Sequence, residues 1–427
     1  MRLSAGSRIA VSLADQAVVS GVRFVTSILI ARTVGDDGLG VYSIAFGCLL
    51  IAICTQEALV AAPFTLFHAR ESGREKSRYH ASALAQLIII MVIASVGFSV
   101  ASVGIYLRGN TSGLLAPMAV LAISSPFVLL QEFGRRVELA RLRNLWALGI
   151  DTTSGSLQLL LLVLLASQGI LNAANAYACL GIASAIPAFI WLLVAYRDLV
   201  FERANILFEL RRHWSLARWS FLAQLIGLLH FQSMMWMMGW MLGPAAAGVF
   251  AACNYVTFFV NPFAIGISNA LCPMAVRAYQ HHGNARIRKL ICIAMAVMAM
   301  GLTLFAIVLW SNADAILKLL YERDSFLGYG TLLLLLGLNA MLSVVHVMND
   351  CGVWAIERPT WLLQSSLIVL GVTVAMAIPC MQTWGLVGGA YSLLGGRFAG
   401  LLYQSTLFFL ATRGLGGQAP SPHRQDR

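Results

Sequence analysis

The sequence predicts an all-α, polytopic membrane protein: twelve transmembrane helices in two like-oriented six-helix bundles, with both termini cytoplasmic. Three observations carry this reading. The first is composition. Of 427 residues, 59% are apolar and 11% charged, against about 25% charged in a soluble domain, and the mean hydropathy is +0.79. No polar stretch is long enough to form a separate soluble domain. The second is the spacing of apolar runs, and the third is the distribution of basic residues along them.

Hydropathy marks spans at roughly 9–32, 39–65, 81–106, 114–133, 147–167 and 174–196, then at roughly 218–242, 246–270, 290–310, 326–348, 361–382 and 387–411. The longest connection lies between the sixth and seventh spans and reads as a surface helix. The expected domains are therefore an N-terminal bundle over 1–196, a cytoplasmic connection over 197–217, a C-terminal bundle over 218–411 and a disordered cytoplasmic tail over 412–427. With the N-terminus inside, 23 of the 29 Lys and Arg fall in inner segments. Arg70, Arg74, Arg135, Arg136, Arg141, Arg143, Arg211, Arg212 and Arg288 are among them. Outside lie Arg32, Arg108, Lys318 and Arg323. That asymmetry over short loops orients the chain. It also accounts for the net charge of +11 without nucleic acid. The first apolar run is too long and too polar for a cleaved leader and is expected to stay as a helix.

The first span is the unusual one. At ~100° per residue, Ser12, Asp15, Gln16, Ser20, Arg23, Thr26 and Ser27 share one arc of the helix. A charge at the bilayer centre costs about 2.5–3.5 kcal/mol on insertion scales. Arg23 therefore needs a carboxylate, an aqueous cavity or an anionic ligand. Similar stripes recur: Asn254, Thr257, Asn261 and Ser268 on the eighth span, and Asn339, Ser343, His346 and Asp350 on the tenth. Arg397 lies mid-way along the twelfth, with Gln404 one heptad later on its face. Arg23, Arg397, Gln16, Asn254, Asn261 and Asn339 are the candidate substrate-binding residues. Asp15, Glu57 and His346 are candidates for ion coupling; Asp151, near the inner boundary, is the weakest acid because it can face water. The neutral residues can equally serve as hydrogen-bonded glue between helices. His230 to Trp240, HFQSMMWMMGW, reads as Met-rich core or lipid-facing filler, or as an adaptable ligand surface. Gly396 and Gly400 form a G-x-x-x-G suited to a close helix crossing.

The chain repeats itself. VGDDGLGVY (34–42) precedes LGPAAAGVF (242–250) by 208 positions: Gly35 matches Gly243, Gly40 matches Gly248, and Tyr42 matches Phe250. Six spans separate the copies, so they have the same sense, and transporters built from such repeats bind substrate near the midplane. The eight cysteines are scattered without a CxxC pair, so the spacing indicates neither a disulfide framework nor a zinc site. No Walker A loop, G-x-S-x-G or H-E-x-x-H is present. A catalytic residue, a metal and a cofactor are thus not expected, and the chain reads as a non-enzyme.

Several patches resemble the oligosaccharide-lipid flippases of the multidrug/oligosaccharidyl-lipid/polysaccharide exporter superfamily, the O-antigen and exopolysaccharide translocases. ILIARTVGDDGLGVYSIAF (28–46) resembles the family's opening. FGRRVELARLRNLWALG (133–149) is similar to its basic fourth-to-fifth loop. MLGPAAAGVFAACNYV (241–256) looks like its second-half repeat. ADAILKLLYERDSFLGYGTLLLLL (313–336) and WGLVGGAYSLLGG (384–396) resemble the approaches to its tenth and twelfth helices. The resemblance implies two six-helix bundles in a V that rock between inward-open and outward-open states. It also implies a cationic cavity, with Arg23 at the first-helix arginine, for an undecaprenyl-diphosphate-linked sugar unit. The implied location is the bacterial inner membrane. The implied partners are membrane lipids, the lipid-linked glycan, a polysaccharide polymerase and a chain-length regulator. Lipid II flippases usually have fourteen helices and more cavity arginines, so a surface or capsular polysaccharide unit is favoured over a peptidoglycan precursor. The alternatives are a cation-coupled multidrug extruder of the same superfamily and a non-transporting scaffold of a polysaccharide assembly complex.

Overall fold

In the computed structural model, which describes residues 5–68, 73–109, 113–196, 202–257 and 260–413, helices account for nearly all of the chain and no strand occurs among those residues. The order is α1 Ala5–Thr33, α2 Asp36–Gln56, a π-helical turn Glu57–Ala61, α3 Ala62–Phe67, α4 Gly73–Leu107, α5 Leu115–Ala140, α6 Asn144–Ser167 and α7 Ala173–Tyr196. It continues with α8 Arg203–Met241, α9 Pro244–Thr257, α10 Asn261–Ser311, α11 Ala313–Tyr321, a 3-10 turn Asp324–Phe326, α12 Gly330–Ala355 and α13 Pro359–Thr412. Among the described residues, ten helices are long and apolar enough to cross a membrane. Two exceed any bilayer: α13 has 54 residues and α10 has 51, roughly 80 Å each at 1.5 Å per residue. Each is broken at a left-handed glycine, Gly385 in α13 (φ 56°) and Gly283 in α10 (φ 69°). The expected eleventh and twelfth spans are thus the two arms of α13. The eighth falls on α9 and the start of α10, across residues 258–259, which lie outside the description.

Two boundaries differ from expectation. The predicted surface helix before the seventh span is not separate: α8 runs unbroken for 39 residues from Arg203. The fourth span does not end at 133, because α5 continues to Ala140 and buries Arg135 and Glu138. The cysteine reading also fails at one pair: Cys272 on α10 and Cys351 on α12 are joined by a disulfide, with Cα atoms 4.7 Å apart across 79 residues of sequence. No spacing rule signals a bond between two helices so far apart in the chain. The tail from 414 onward lies outside the described residues.

The chain forms two compact units, one of 1–252 with 317–327 and one of 253–316 with 328–427. In the first, α1 packs on α6, α5 on α4 and α7, and α2 on α8. Its core is a cluster around Phe64, Tyr79, Leu87, Phe133 and Trp191. The internal repeat is visible in its backbone. Gly35 and Gly243, paired by sequence, both have left-handed φ, 96° and 91°. Gly40 and Gly248 meet: a Cβ on Gly40 would lie 1.8 Å from the Pro244 carbonyl oxygen, and one on Gly248 1.9 Å from that of Asp36. Only hydrogen fits there. The repeated glycines are the place where the N-terminal ends of α2 and α9 touch.

The segment 317–327 belongs to this unit through two arginines that cap each other's helix. Arg32, at the end of α1, donates from Nε to the Leu320 carbonyl (2.7 Å) and from Nη2 to that of Leu319 (2.8 Å). Arg323 returns the contact, donating to the carbonyls of Arg32 and Thr33, both at 3.0 Å. Helix C-termini present unpaired carbonyls and partial negative charge, and a guanidinium satisfies both. In the second unit, α12 packs between α10 and α13, around Ile291, Val344, Met348 and Phe408. The G-x-x-x-G works as anticipated: Cβ atoms on Gly396 and Gly400 would meet Thr373 Oγ1 at 2.0 Å and Val369 Cγ2 at 2.2 Å. The two arms of α13 therefore cross in close contact. Of the Met-rich run in α8, Met234, Met235 and Met238 are core and Trp240 is exposed.

A histidine cluster ties the start of α8 to α4. His213 Nδ1 is 2.8 Å from Gln86 Oε1, and its Nε2 is 2.9 Å from the Tyr79 hydroxyl. His68 Nδ1 lies 2.8 Å from His80 Nε2. Burial, reinforced by Arg212, lowers the His213 pKa to about 4; burial, with Lys76 and Arg141 nearby, does the same for His68. Both are neutral when folded and regain an ordinary pKa near 6.5 when unfolded. The unfolded chain then binds more protons between the two values, so stability is complete above pH ~6.5 and falls as pH drops toward ~4. Thermal unfolding in detergent should show a loss of several kcal/mol across that window, up to roughly 3 kcal/mol for each histidine. His213→Gln should flatten the slope; an unchanged slope in that variant would remove His213 from the account.

Candidate functional site

The first unit holds a polar cavity walled by α1, α2, α5 and α6, with Leu180 of α7 at its edge. Arg23 lines it, with Tyr42 and Phe46 from α2, Gln131 and Glu132 from α5, and Asp151, Ser154 and Gln158 from α6. Its volume is about 80 Å³, space for two or three waters at ~30 Å³ each. The polar arc of α1 divides as it meets this wall. Asp15, Thr26 and Ser27 are buried, while Gln16, Ser20 and Arg23 are exposed. Thr26 accepts from Gln158 Nε2 at 3.3 Å. The Arg23 guanidinium carbon stands 5.8 Å from the centre of the Phe46 ring, within cation–π distance.

Beside the cavity sits a charge cluster that sequence reasoning did not assemble. Arg135 is bound to three carboxylates: Asp15 at 3.4 Å, Glu132 at 3.0 Å and Asp151 at 3.5 Å. Arg135, Asp15 and Asp151 have side chains 7% exposed or less. Gln131 Nε2 donates to Ser154 Oγ (2.8 Å) and to Asp151 Oδ1 (3.4 Å). Asp15 Oδ1 accepts no hydrogen bond, and Asp151 Oδ2 is held only by the long contact to Arg135 Nε. Three carboxylates around one guanidinium leave the cluster two negative charges in excess when all are ionised. Arg135 was assigned to an inner loop, and Asp151 to a water-facing position; the structure buries both. The signal was present in QEFGRR, where Gln131, Glu132 and Arg135 share a helical face. It was masked by ending the fourth span at Phe133. Glu57 is elsewhere, paired with Arg136.

The second unit has its own network. Gln404 accepts from His346 Nε2 at 2.6 Å and donates to Asp350 Oδ1 at 2.7 Å. Ser365 Oγ lies 3.0 Å from His346 Nε2 and donates to the Gly400 carbonyl at 3.0 Å. Arg397 lies in the electrostatic field of Asp350, and its buried Nε has no hydrogen-bond acceptor. The stripes expected on the tenth and twelfth spans are thus joined through Gln404. Of the remaining candidates, Asn254 and Asn339 are buried, and the Asn339 carbonyl oxygen has no donor. The Asn261 side chain lies outside those described.

A family model of polysaccharide biosynthesis proteins matches residues 6–279, which include α1, the cavity and the Arg135 cluster. The chain belongs to that family. No curated protein matches it. Among solved structures, it resembles the MATE multidrug transporter DinF-BH in complex with R6G, at 15% identity over 96% of each chain and a TM-score of 0.68. An inward-facing multidrug resistance MATE transporter of the MOP superfamily matches at 15% identity over 97% and 96% of the two chains, TM-score 0.70. The lipid II flippase MurJ, in an inward closed conformation, matches at 15% identity over 93% of this chain and 87% of its own, TM-score 0.70. The chain therefore has the fold shared by these transporters and this flippase.

The two arginines beside the cavity should separate in stability. Arg135→Met strands buried carboxylates and should cost about 3–5 kcal/mol. Arg23→Ala, at an exposed position, should stay within about 0.5 kcal/mol of the parent. Thermal or denaturant unfolding of the purified variants distinguishes them; equal losses would contradict the assignment of Arg135 as the neutralised charge and Arg23 as the free one.

Proposed function

We propose that this protein translocates an undecaprenyl-diphosphate-linked oligosaccharide unit across the bacterial cytoplasmic membrane by alternating access, for surface polysaccharide synthesis, and performs no covalent chemistry. The observation that carries this reading is Arg23. It is a full positive charge on a membrane helix, lining a polar cavity, and it makes no ion pair among the described residues. A guanidinium in that setting is matched by a phosphate, which it grips through forked, charge-assisted hydrogen bonds. Membership in the polysaccharide biosynthesis family and a fold shared with a lipid II flippase support a lipid-linked substrate. The present cavity of about 80 Å³ is far smaller than a diphosphate sugar, so the reading requires a wider state. In that state Gln16, Asn254, Asn261, Asn339 and Arg397 are the proposed further contacts. The basic-residue bias supports cytoplasmic termini, and a polymerase and chain-length regulator are the proposed partners.

The excess of acid around Arg135 favours a cation as the coupling species. Asp15 and Asp151 share one guanidinium with Glu132, which leaves carboxylate charge that a proton or Na⁺ would balance. Glu57, paired with Arg136, and His346, hydrogen-bonded to Gln404, are the weaker proposals for that role. The same acids keep the multidrug-extruder reading in play, in which the cavity takes a cationic substrate.

Deletion of the gene should cause one undecaprenyl-linked oligosaccharide to accumulate on the inner leaflet. Complementation with Arg23→Ala should leave protein level normal and lower polysaccharide export by about tenfold or more, the loss of a charge-assisted pair. Full export by that variant would support a scaffold. Export of a cationic dye without diphosphate dependence would support the extruder.

A further inference from the structure

Helix α11 is divided between the two units. Its residues up to Ile316 go with the second unit, and Leu317 onward, with the 3-10 turn, goes with the first as far as Leu327. At Gly328 the chain is back in the second. The segment 317–327 thus has both ends in one unit and its body docked on the other. Its root is tied, because the Gly328 N–H donates to Asp314 Oδ1 at 3.0 Å. An α-helix does not stretch without giving up backbone hydrogen bonds. Displacement of one unit against the other therefore bends α11 or undocks the segment.

It docks on α1. Arg32 reaches the carbonyls of Leu319 and Leu320, and Arg323 reaches those of Arg32 and Thr33. Arg32 also pairs with Glu322 at 3.0 Å. Arg323 lies across the turn that joins α1 to α2: a Cβ on Gly35 would lie 3.0 Å from its Nη1. Tyr321 seats the segment, donating to the Ala252 carbonyl at 2.9 Å, with its ring 4.9 Å from that of Phe326. Arg32 stands nine residues beyond Arg23 on α1, about 13.5 Å along the axis. The helix that carries the cavity arginine is the helix that the segment holds.

The arginine contacts are of a kind that opens. Three of the four guanidinium–carbonyl bonds are at the surface, and the Arg32 and Glu322 side chains are 36% and 66% exposed. Water replaces either partner there at small net cost. Arg135 and its acids, by contrast, are shielded from water.

We propose that residues 317–327 are a latch on the outer end of α1, docked in one half of the transport cycle and released in the other, so that the cavity beside Arg23 opens outward only when the two arginine caps break. The outer side is the one with few basic residues, Arg32, Lys318 and Arg323 among them. The latch rests on the alternating-access part of the proposed function and holds for a lipid-linked or a cationic cargo.

The test follows a cysteine at Val19, on the cavity wall, in the full-length protein. A membrane-impermeant maleimide is applied to right-side-out and to inside-out vesicles, and labelling of residue 19 is read by peptide mass spectrometry. Arg32→Ala with Arg323→Ala removes the caps. It should raise labelling from outside by about tenfold, the effect of one charge-assisted hydrogen bond on a two-state equilibrium, and lower labelling from inside. Arg32→Lys with Arg323→Lys keeps a charge but not the forked geometry and should fall between. In the unaltered protein in nanodiscs, hydrogen exchange should show residues 28–35 and 317–327 opening together and more often than α12; this arm stands if the alanine variant does not fold. Labelling that rises from both sides would mean loosened packing, and labelling unchanged from both would mean a surface cap. Either result, or exchange of 317–327 as slow as that of α12, overturns the latch and leaves alternating access standing. A residue-19 cysteine that is never reached from outside would overturn alternating access as well. A deletion strain without a lipid-linked intermediate would remove the flippase reading and leave the latch untouched.

Discussion

The constraint on which the first unit depends is electroneutrality in a medium that cannot solvate charge. Arg135 lies inside a membrane helix, almost fully buried, and is tolerable only because α1, α5 and α6 each bring a carboxylate to it. Those contacts fix more than an energy. Asp15 sets the rotation of α1 against α5, and Asp151 with Gln131 sets α6. Once α1 is held by Asp15, its geometry leaves Arg23 about 80° around the helix, where it lines the cavity with Glu132 and Asp151. One arginine is ion-paired within the wall; the other faces the cavity.

Backbone approach plays the corresponding role where the charges are absent. Gly40 and Gly248 allow two helix ends to touch, and Gly396 and Gly400 do so for the arms of α13. Lipid offers no hydrophobic drive for helices to associate, so close packing and hydrogen bonds must supply it. The polar residues on the crossings follow from this. Ser365 bonds to the Gly400 carbonyl beside the very contact that Gly400 makes possible.

Much of this was legible because it follows from local periodicity. The stripe on α1 predicted a helix with a wet face, and Arg23 lines a polar cavity. The repeat at 34–42 and 242–250 foretold paired glycines, and they share both conformation and contact. His346, Asp350 and Gln404 were each placed on the right helical face. What sequence could not supply was pairing between helices. Arg135 reads as a loop charge when hydropathy is averaged, because averaging scores a neutralised arginine and a solvated one alike. Asp151 looked water-facing for the same reason. Cys272 and Cys351 are 79 residues apart, and nothing local distinguishes them from the free cysteines. Arg32 and Arg323 were counted only as orienting charges, since capping a distant helix leaves no trace in spacing.

The two units handle buried charge in opposite ways, and the difference bears on what each can do. Around Arg135 three acids share one base; such a cluster is completed by adding positive charge. Around Arg397 the single acid, Asp350, is already engaged by Gln404, and it is a guanidinium nitrogen that lacks a partner; this cluster is completed by an acceptor. A carrier that coupled a cation to an anionic headgroup would need one site of each kind.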